Sequence, residues 1–201
     1  MGKTATDICN MALARIGVSQ FLLDYSNDQS NEAKVCRIFY DNVRDRVIQE
    51  LPWNFATRTA TLTDIGTPPS RWAYRYRYPV DCITARKVTV SGAPSSIESA
   101  EFEVVEDEAA GSLAICTNQQ SAVLIYTAKI TNTILFSQAF IDTFAWALAT
   151  EIAAPLSAEP KMATAAGNAY TVALLRAAGR HLNEGKEARP TTESGFITAR
   201  R

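Results

Sequence analysis

The sequence predicts an α+β chain, mainly α, with helices towards both ends and a β insertion between them. Three observations predict it. Before residue 57 and again after residue 137, apolar residues recur at spacings of three or four, as on helices with one buried face. Between those stretches the period falls to two, most clearly from Arg71 to Tyr78. Beyond Gly185 the apolar content drops, as in a segment that does not fold alone. The simplest packing joins the first and last helical pairs into a four-helix bundle-like core. The expected division is a helical bundle domain (1–56 and 133–185), an inserted β subdomain (57–132) and an extended C-terminal tail (186–201). At 201 residues and 47% hydrophobic content, the chain is long enough for one good core with an appended subdomain.

In chain order, Thr4 with Asp7 three residues later forms a capping box for a first helix. Ile8, Ala12 and Ile16 mark its face, and Gly17 stops it. Ser26 with Gln29, Asp28 or Ser30 each offers a cap for the second helix, and the sequence does not choose among them. On that helix Cys36, Phe39, Val43, Val47 and Leu51 form the expected buried face. Arg37, Asp41, Arg44 and Asp45 fall mainly on the other faces, where Arg37 with Asp41 and Asp41 with Arg44 can pair. Pro52 ends the helix because it biases Leu51 away from helical geometry. Trp53 and Phe55 then follow two apart. The chain is expected to leave the helix extended and drop both rings onto one surface, a structural anchor between helices and sheet.

Strands are expected from Thr57 to Thr63, around Tyr74 to Tyr78, from Cys82 to Val90, and near Phe102–Val104, Leu113–Ile115 and Val123–Tyr126. Together they predict one small antiparallel sheet. Helical spacing returns at Ser137. Phe140, Phe144, Leu148 and Ile152 repeat every four residues until Pro155. Pro160 fits the first turn of a fourth helix, where its missing N–H costs nothing. Ala163, Ala166, Tyr170, Ala173, Leu174, Ala177 and Leu182 carry that helix's stripe. The alanines of both helices allow close axial approach.

Composition narrows the function. A net charge of -1 argues against a polycation that coats nucleic acid. The N-terminus does not read as a signal peptide, and no apolar run approaches the ~18 residues of a membrane span. Cys9, Cys36, Cys82 and Cys116 are scattered without a C-x-x-C pair, as for reduced, buried thiols. With His181 the sole histidine, no metal ligand cluster is expected. No phosphate loop, G-x-S-x-G or H-E-x-x-H occurs. His181 could in principle serve a cysteine as base, but with Arg180 it sits in the last turn of a helix, where cations are favoured anyway. The carboxylate pairs Asp41 with Asp45 and Glu103 with Glu106 lie on patterned or exposed surface. No catalytic residue and no cofactor is expected.

Two charged stretches remain. Arg71, Arg75 and Arg77 alternate with Trp72, Tyr74, Tyr76 and Tyr78. Such a row can track a nucleic-acid backbone while rings stack on bases, yet alternation puts arginines and rings on opposite strand faces. Between Glu98 and Glu108 there are six acidic residues and no basic one. This run, with Glu103 and Glu106, is either a solvated edge or a patch for the arginine row of a neighbouring copy.

The order of motifs resembles a known family. Ile8-Cys9-Asn10-Met11-Ala12-Leu13-Ala14-Arg15-Ile16-Gly17 is similar to its opening helix. So is Ala33 to Ile48 leading into Leu51-Pro52-Trp53-Asn54-Phe55-Ala56. Tyr74-Arg75-Tyr76-Arg77-Tyr78-Pro79-Val80-Asp81-Cys82 resembles a recurrent strand, and Gly195-Phe196-Ile197-Thr198-Ala199-Arg200 its terminus. The family is the head-to-tail adaptor, or tail tubular protein A, of short-tailed bacteriophages. Residues 92–120 match it poorly. The resemblance implies a virion protein of the tail and neck, assembled in the host cytoplasm, with no catalytic residues. It implies a ring of copies of itself, typically dodecameric, between the portal protein and the tail nozzle protein. DNA would pass its channel without sequence recognition, and no membrane would be involved. Phe196, Ile197, Arg200 and Arg201 would then be portal-docking residues. Arg71, Arg75, Arg77, Glu103 and Glu106 are candidates for subunit or nozzle contacts. A nucleic-acid-binding module using the arginine strand and, further off, a cysteine hydrolase are the alternatives.

Overall fold

The computed structural model describes residues 3–90, 99–108, 110–156 and 159–184. Among these the fold is α+β, with four α-helices and two three-stranded antiparallel sheets. The helices are α1 (Ala5–Arg15), α2 (Asn31–Glu50), α3 (Gln138–Leu156) and α4 (Pro160–Glu184). The strands, all between α2 and α3, are β1 (Thr57–Thr61), β2 (Tyr74–Arg77), β3 (Cys82–Val90), β4 (Phe102–Asp107), β5 (Ser112–Thr117) and β6 (Ala122–Ala128).

The helix ends follow local chemistry. Thr4 and Asp7 make the reciprocal capping box at α1. At the other end the N–H of Gly17 bonds to the carbonyl of Ala14 and that of Val18 to the carbonyl of Leu13. That is a Schellman closure, and Gly17 supplies the φ of +78° it needs. Ser30 caps α2 by accepting from the Ala33 N–H at 3.3 Å, and Asp28 in turn accepts from the Ser30 N–H at 2.8 Å.

Three helices, α1, α2 and α4, pack on α3. Phe140, Phe144, Leu148 and Ile152 are fully buried on it, and so are Ala145, Ala147 and Ala149 on its other sides. A wide buried face, broken only by the partly exposed stripe of Asp142, Trp146, Thr150 and Ala154, makes α3 the centre of the helical layer. By length and mean hydropathy, 1.2, α3 could also cross a membrane; here its apolar surface meets the other helices. Pro155 lies inside the last turn, so the helix runs one residue beyond the expected stop. Ala166, Ala173 and Ala177 are the buried side of α4.

The buried face of α2 carries Cys36, Val43 and Val47 as expected and is shifted only at its edges. Tyr40 and Arg44 are buried, while Phe39 and Leu51 are only half-buried. Tyr40 turns inward because its ring meets Tyr25 and Phe144, each at 4.9 Å between centroids. Arg44 is tolerated there because Asp41 and Asp45 both pair with it.

The β region forms two sheets rather than the single one expected. One has the order β1-β6-β3, the other β2-β5-β4. The split comes from segments that change sheets. Leu62, just past β1, still donates to the Ala122 carbonyl at the start of β6, but the next residues pair with β2 through Ile65 to Arg75 and Arg77 to Thr63, each at 2.9 Å. Ala100 likewise bridges β3 before the chain enters β4. Such corners let two sheets enclose one core. Leu62, Val88 and Leu124 of the first sheet share it with Tyr76 and Ile115 of the second.

Candidate interaction site

The last carbonyls of α2 have no partner within the helix, and α2 has no basic residue in its last turn. Two residues from outside serve them. The Trp53 indole N–H donates to the Val47 carbonyl at 2.9 Å. The Arg86 guanidinium donates to the Gln49 carbonyl at 2.7 Å and to the Thr127 hydroxyl at 2.9 Å. Arg86 lies where the β3 register slips between Ala85 and Lys87, so it is the extra residue of a bulge. The bulge turns this one side chain to the helix end, where a cation is favoured.

Trp53 is buried, and its ring stands edge-on to Phe140 at 5.2 Å. Phe55 meets Phe136 at 5.5 Å and Phe140 at 5.0 Å. Both rings therefore land on one surface, the start of α3, as expected from their spacing. The backbone route differs from expectation. Leu51 is extended, but the Ala56 and Thr57 N–H groups both donate to the Trp53 carbonyl at 2.9 Å. Residues 53–57 thus form a tight turn, which brings the two rings within 6.1 Å. From the elbow, Ala56 accepts the Ala128 N–H at 2.7 Å, and Lys129 pairs with Asp45 at 2.9 Å. One turn therefore joins α2, α3 and β6.

Beside the elbow lies a cleft of about 310 Å³. Trp53, Phe55, Ala139 and Ala177 line it with apolar surface, and Asn54, Ser137, Gln138 and Arg180 with polar surface. Ser137 accepts from the Phe140 N–H at 3.2 Å at the start of α3. The cleft therefore meets a helix N-terminus on one side and a guanidinium from α4 on the other.

The charged rows occupy the second sheet. Arg75 and Arg77 sit on the face shared with Cys116 and Ala114; Tyr74 and Tyr76 share the opposite face with Thr117 and Ile115. The arginines and carboxylates meet within one chain. Arg75 crosses β5 and pairs with Asp107 at 2.8 Å, while Cys116 and Ala114 between them are fully buried. Arg71 lies 3.8 Å from Glu103 and over the Trp72 ring at 4.9 Å, and the Trp72 indole donates to Glu103 at 2.9 Å. Arg75 is thus paired within its own chain. Arg77 and Glu106 stay exposed. Among the described residues no strand pairs the outer edge of β4.

Cys9, Cys36 and Cys116 are buried and Cys82 is half-buried, all as free thiols. Cys9 and Cys36, distant in sequence, are neighbours between α1 and α2. Their shared hydrogen bond pushes the Cys9 thiol up, with burial adding to it, and pulls the Cys36 thiol down, while burial pushes Cys82 and Cys116 up. The three raised thiols are poor nucleophiles, and Cys36, the lowered one, is fully buried. His181 lies near the end of α4, and its side chain is outside the described residues. No group of three potential metal ligands occurs among the described residues. Phe196, Ile197, Arg200 and Arg201 lie outside the described residues.

Neither a family model nor a curated protein matches the chain. The residue that sequence reasoning missed is Arg86. The signal was present as a long helix with no cation near its end, followed by an arginine in a strand.

Proposed function

We propose that this chain is a structural subunit of a bacteriophage virion, a head-to-tail connector between the portal and the tail nozzle. The supporting observation is the ordered likeness along nearly the whole chain, strongest at Leu51-Pro52-Trp53-Asn54-Phe55-Ala56. The elbow built by that motif ties a helical bundle (1–56 and 133–185) to an inserted β subdomain (57–132). In this reading the copies close into a ring, typically dodecameric, around a channel for the genome. The tail (186–201) docks on the portal through Phe196, Ile197, Arg200 and Arg201. Many tails held by one ring multiply a weak individual affinity. Exposed Arg77 and Glu106 serve contacts between copies or with the nozzle. The binding-module alternative is less well supported, because Arg71 and Arg75 face carboxylates of their own chain.

The test is native mass of the chain, alone and mixed with the portal ring of the same phage, with and without residues 186–201. A multi-copy complex that is lost on truncation is expected. A complex that survives truncation moves the docking surface to the helices. A chain that ignores the portal in both forms overturns the reading, and salt-dependent binding to bare DNA is then the measurement to make.

A further inference from the structure

The cleft at the elbow combines apolar surface from Trp53, Phe55, Ala139 and Ala177 with the polar groups of Asn54, Ser137, Gln138 and Arg180. The chain beyond α4 carries a segment that matches it. From Asn183 to Arg201 the only large apolar residues are Phe196 and Ile197, and Glu193 lies three residues before them. We infer that in the free subunit this cleft holds Phe196 and Ile197 of the chain's own tail, with Glu193 turned to Arg180.

Length permits it. Ala177 and Arg180 are seven and four residues from Glu184, the last described residue of α4, so the cleft lies within ~10 Å of that point along the helix. Residues 185–195 can span up to ~36 Å when extended. Chemistry favours it. A phenyl ring against Trp53 and Phe55 gains edge-on aromatic contact beyond simple burial. A carboxylate near Arg180 and the N-terminal end of α3 meets positive potential from both. A cleft of ~300 Å³ is at the small end of ligand sites, a scale suited to one or two side chains. Docking in this way would also withhold both anchors from any partner until that partner competes for them. The inference rests on the cleft and the tail composition, not on the connector reading.

The experiment uses the full chain and no second protein. A fluorescent peptide of residues 190–201 is titrated with wild type and with the Phe196→Ala, Ile197→Ala double variant, whose cleft would be open. A short tether gives an effective concentration of about a millimolar. A peptide that binds the open variant at tens of micromolar should then bind wild type at least ~10-fold more weakly. Arg180→Glu in the open variant should weaken the peptide, and Glu193→Lys in the peptide should restore it. Equal binding to wild type and the open variant, or none to either, overturns the inference. So does an unchanged affinity on Arg180→Glu. Native mass at low micromolar concentration decides whose tail is held. A monomer supports docking within one chain, whereas dimers abolished by Phe196→Ala show exchange between copies and overturn it. None of these outcomes touches portal binding, so the two readings fail separately.

Discussion

The two ends of this molecule are stabilised by different means. The helical layer is organised around α3, which is buried over most of its circumference and meets its neighbours mainly through alanines and rings. The outer sheet is organised around β5, whose Ala114, Ile115, Cys116 and Thr117 are fully buried while both flanking strands carry charges. In the first, burial of apolar area dominates. In the second, the sheet is too narrow to bury both faces, and one face is closed by the Arg75 side chain reaching Asp107. The contrast shows where a contact surface can be spared. A buried residue of α3 cannot change without loss of packing, whereas exposed residues of β2 and β4 remain available to a partner.

The largest expected effect tests the helical half. Phe140 touches Trp53, Phe55, Phe136 and Phe144 at once. Phe140→Ala should cost about 3–5 kcal/mol, since it removes the ring and leaves a cavity between two elements that cannot both collapse. Urea unfolding followed by far-UV and near-UV signals checks it. Coincident transitions would show that the elbow couples both halves into one cooperative unit. A sheet that keeps its wild-type midpoint would show the halves to be independent.

Next comes the outer sheet. Arg75→Ala leaves the buried Asp107 carboxylate without its ion pair and should cost about 1–3 kcal/mol. Arg75→Met keeps the cover over β5 and should separate cover from charge. The Cys116 thiol reports the difference. Its labelling by a thiol reagent, mapped by mass spectrometry, should accelerate in the Ala variant and stay slow in the Met variant. Equal labelling would mean that Arg75 does not shield β5.

Much of this fold was legible, and the failures have physical causes. Capping chemistry is local, so Thr4, Asp7 and Gly17 could be read directly. The four-residue stripe of α3 and the period of two in β2 were equally plain. The shifted edges of the α2 face were not, because Tyr40 and Arg44 are buried only by virtue of partners, and partners at Phe144 are distant in sequence. The second sheet was missed because strand alternation says nothing about which strands pair. At the candidate site, the ring pair showed itself in its spacing, but the turn that brings the rings together depends on hydrogen bonds to one carbonyl. The arginine and acidic rows were visible as patterns, and only the fold places Arg75 and Glu103 on the same row beside Cys116.

A smaller effect tests the joint between the two regions. Arg86→Met removes both guanidinium bonds, to Gln49 and Thr127, while keeping most of the stem. The expected loss is about 1 kcal/mol, the size of one or two partly exposed hydrogen bonds. Amide exchange should quicken in the last turn of α2 and around Thr127, and not in α1. Faster exchange throughout the chain would show that the bulge sustains more than the helix end.

The smallest effect lies at the start of α1. The Asp7 carboxylate accepts the Thr4 N–H and the Thr4 hydroxyl, each at 2.9 Å. The backbone bond first, then the hydroxyl, hold its pKa below the ordinary carboxylate value. A lowered folded-state pKa contributes stability that is present above the unfolded value, ~3.9, and is lost as pH falls through the folded one. Wild type should therefore be slightly more stable than Asp7→Asn at pH 6, and the gap should close on acidification below about pH 4. Thr4→Ala, which removes the reciprocal bond, should cost about 1 kcal/mol at neutral pH. If the Asp7→Asn gap persists unchanged down to pH 2.5, the carboxylate charge is not its source. The cap would then act by shape alone, and α1 would depend on its packing against α3 as fully as the rest of the helical layer.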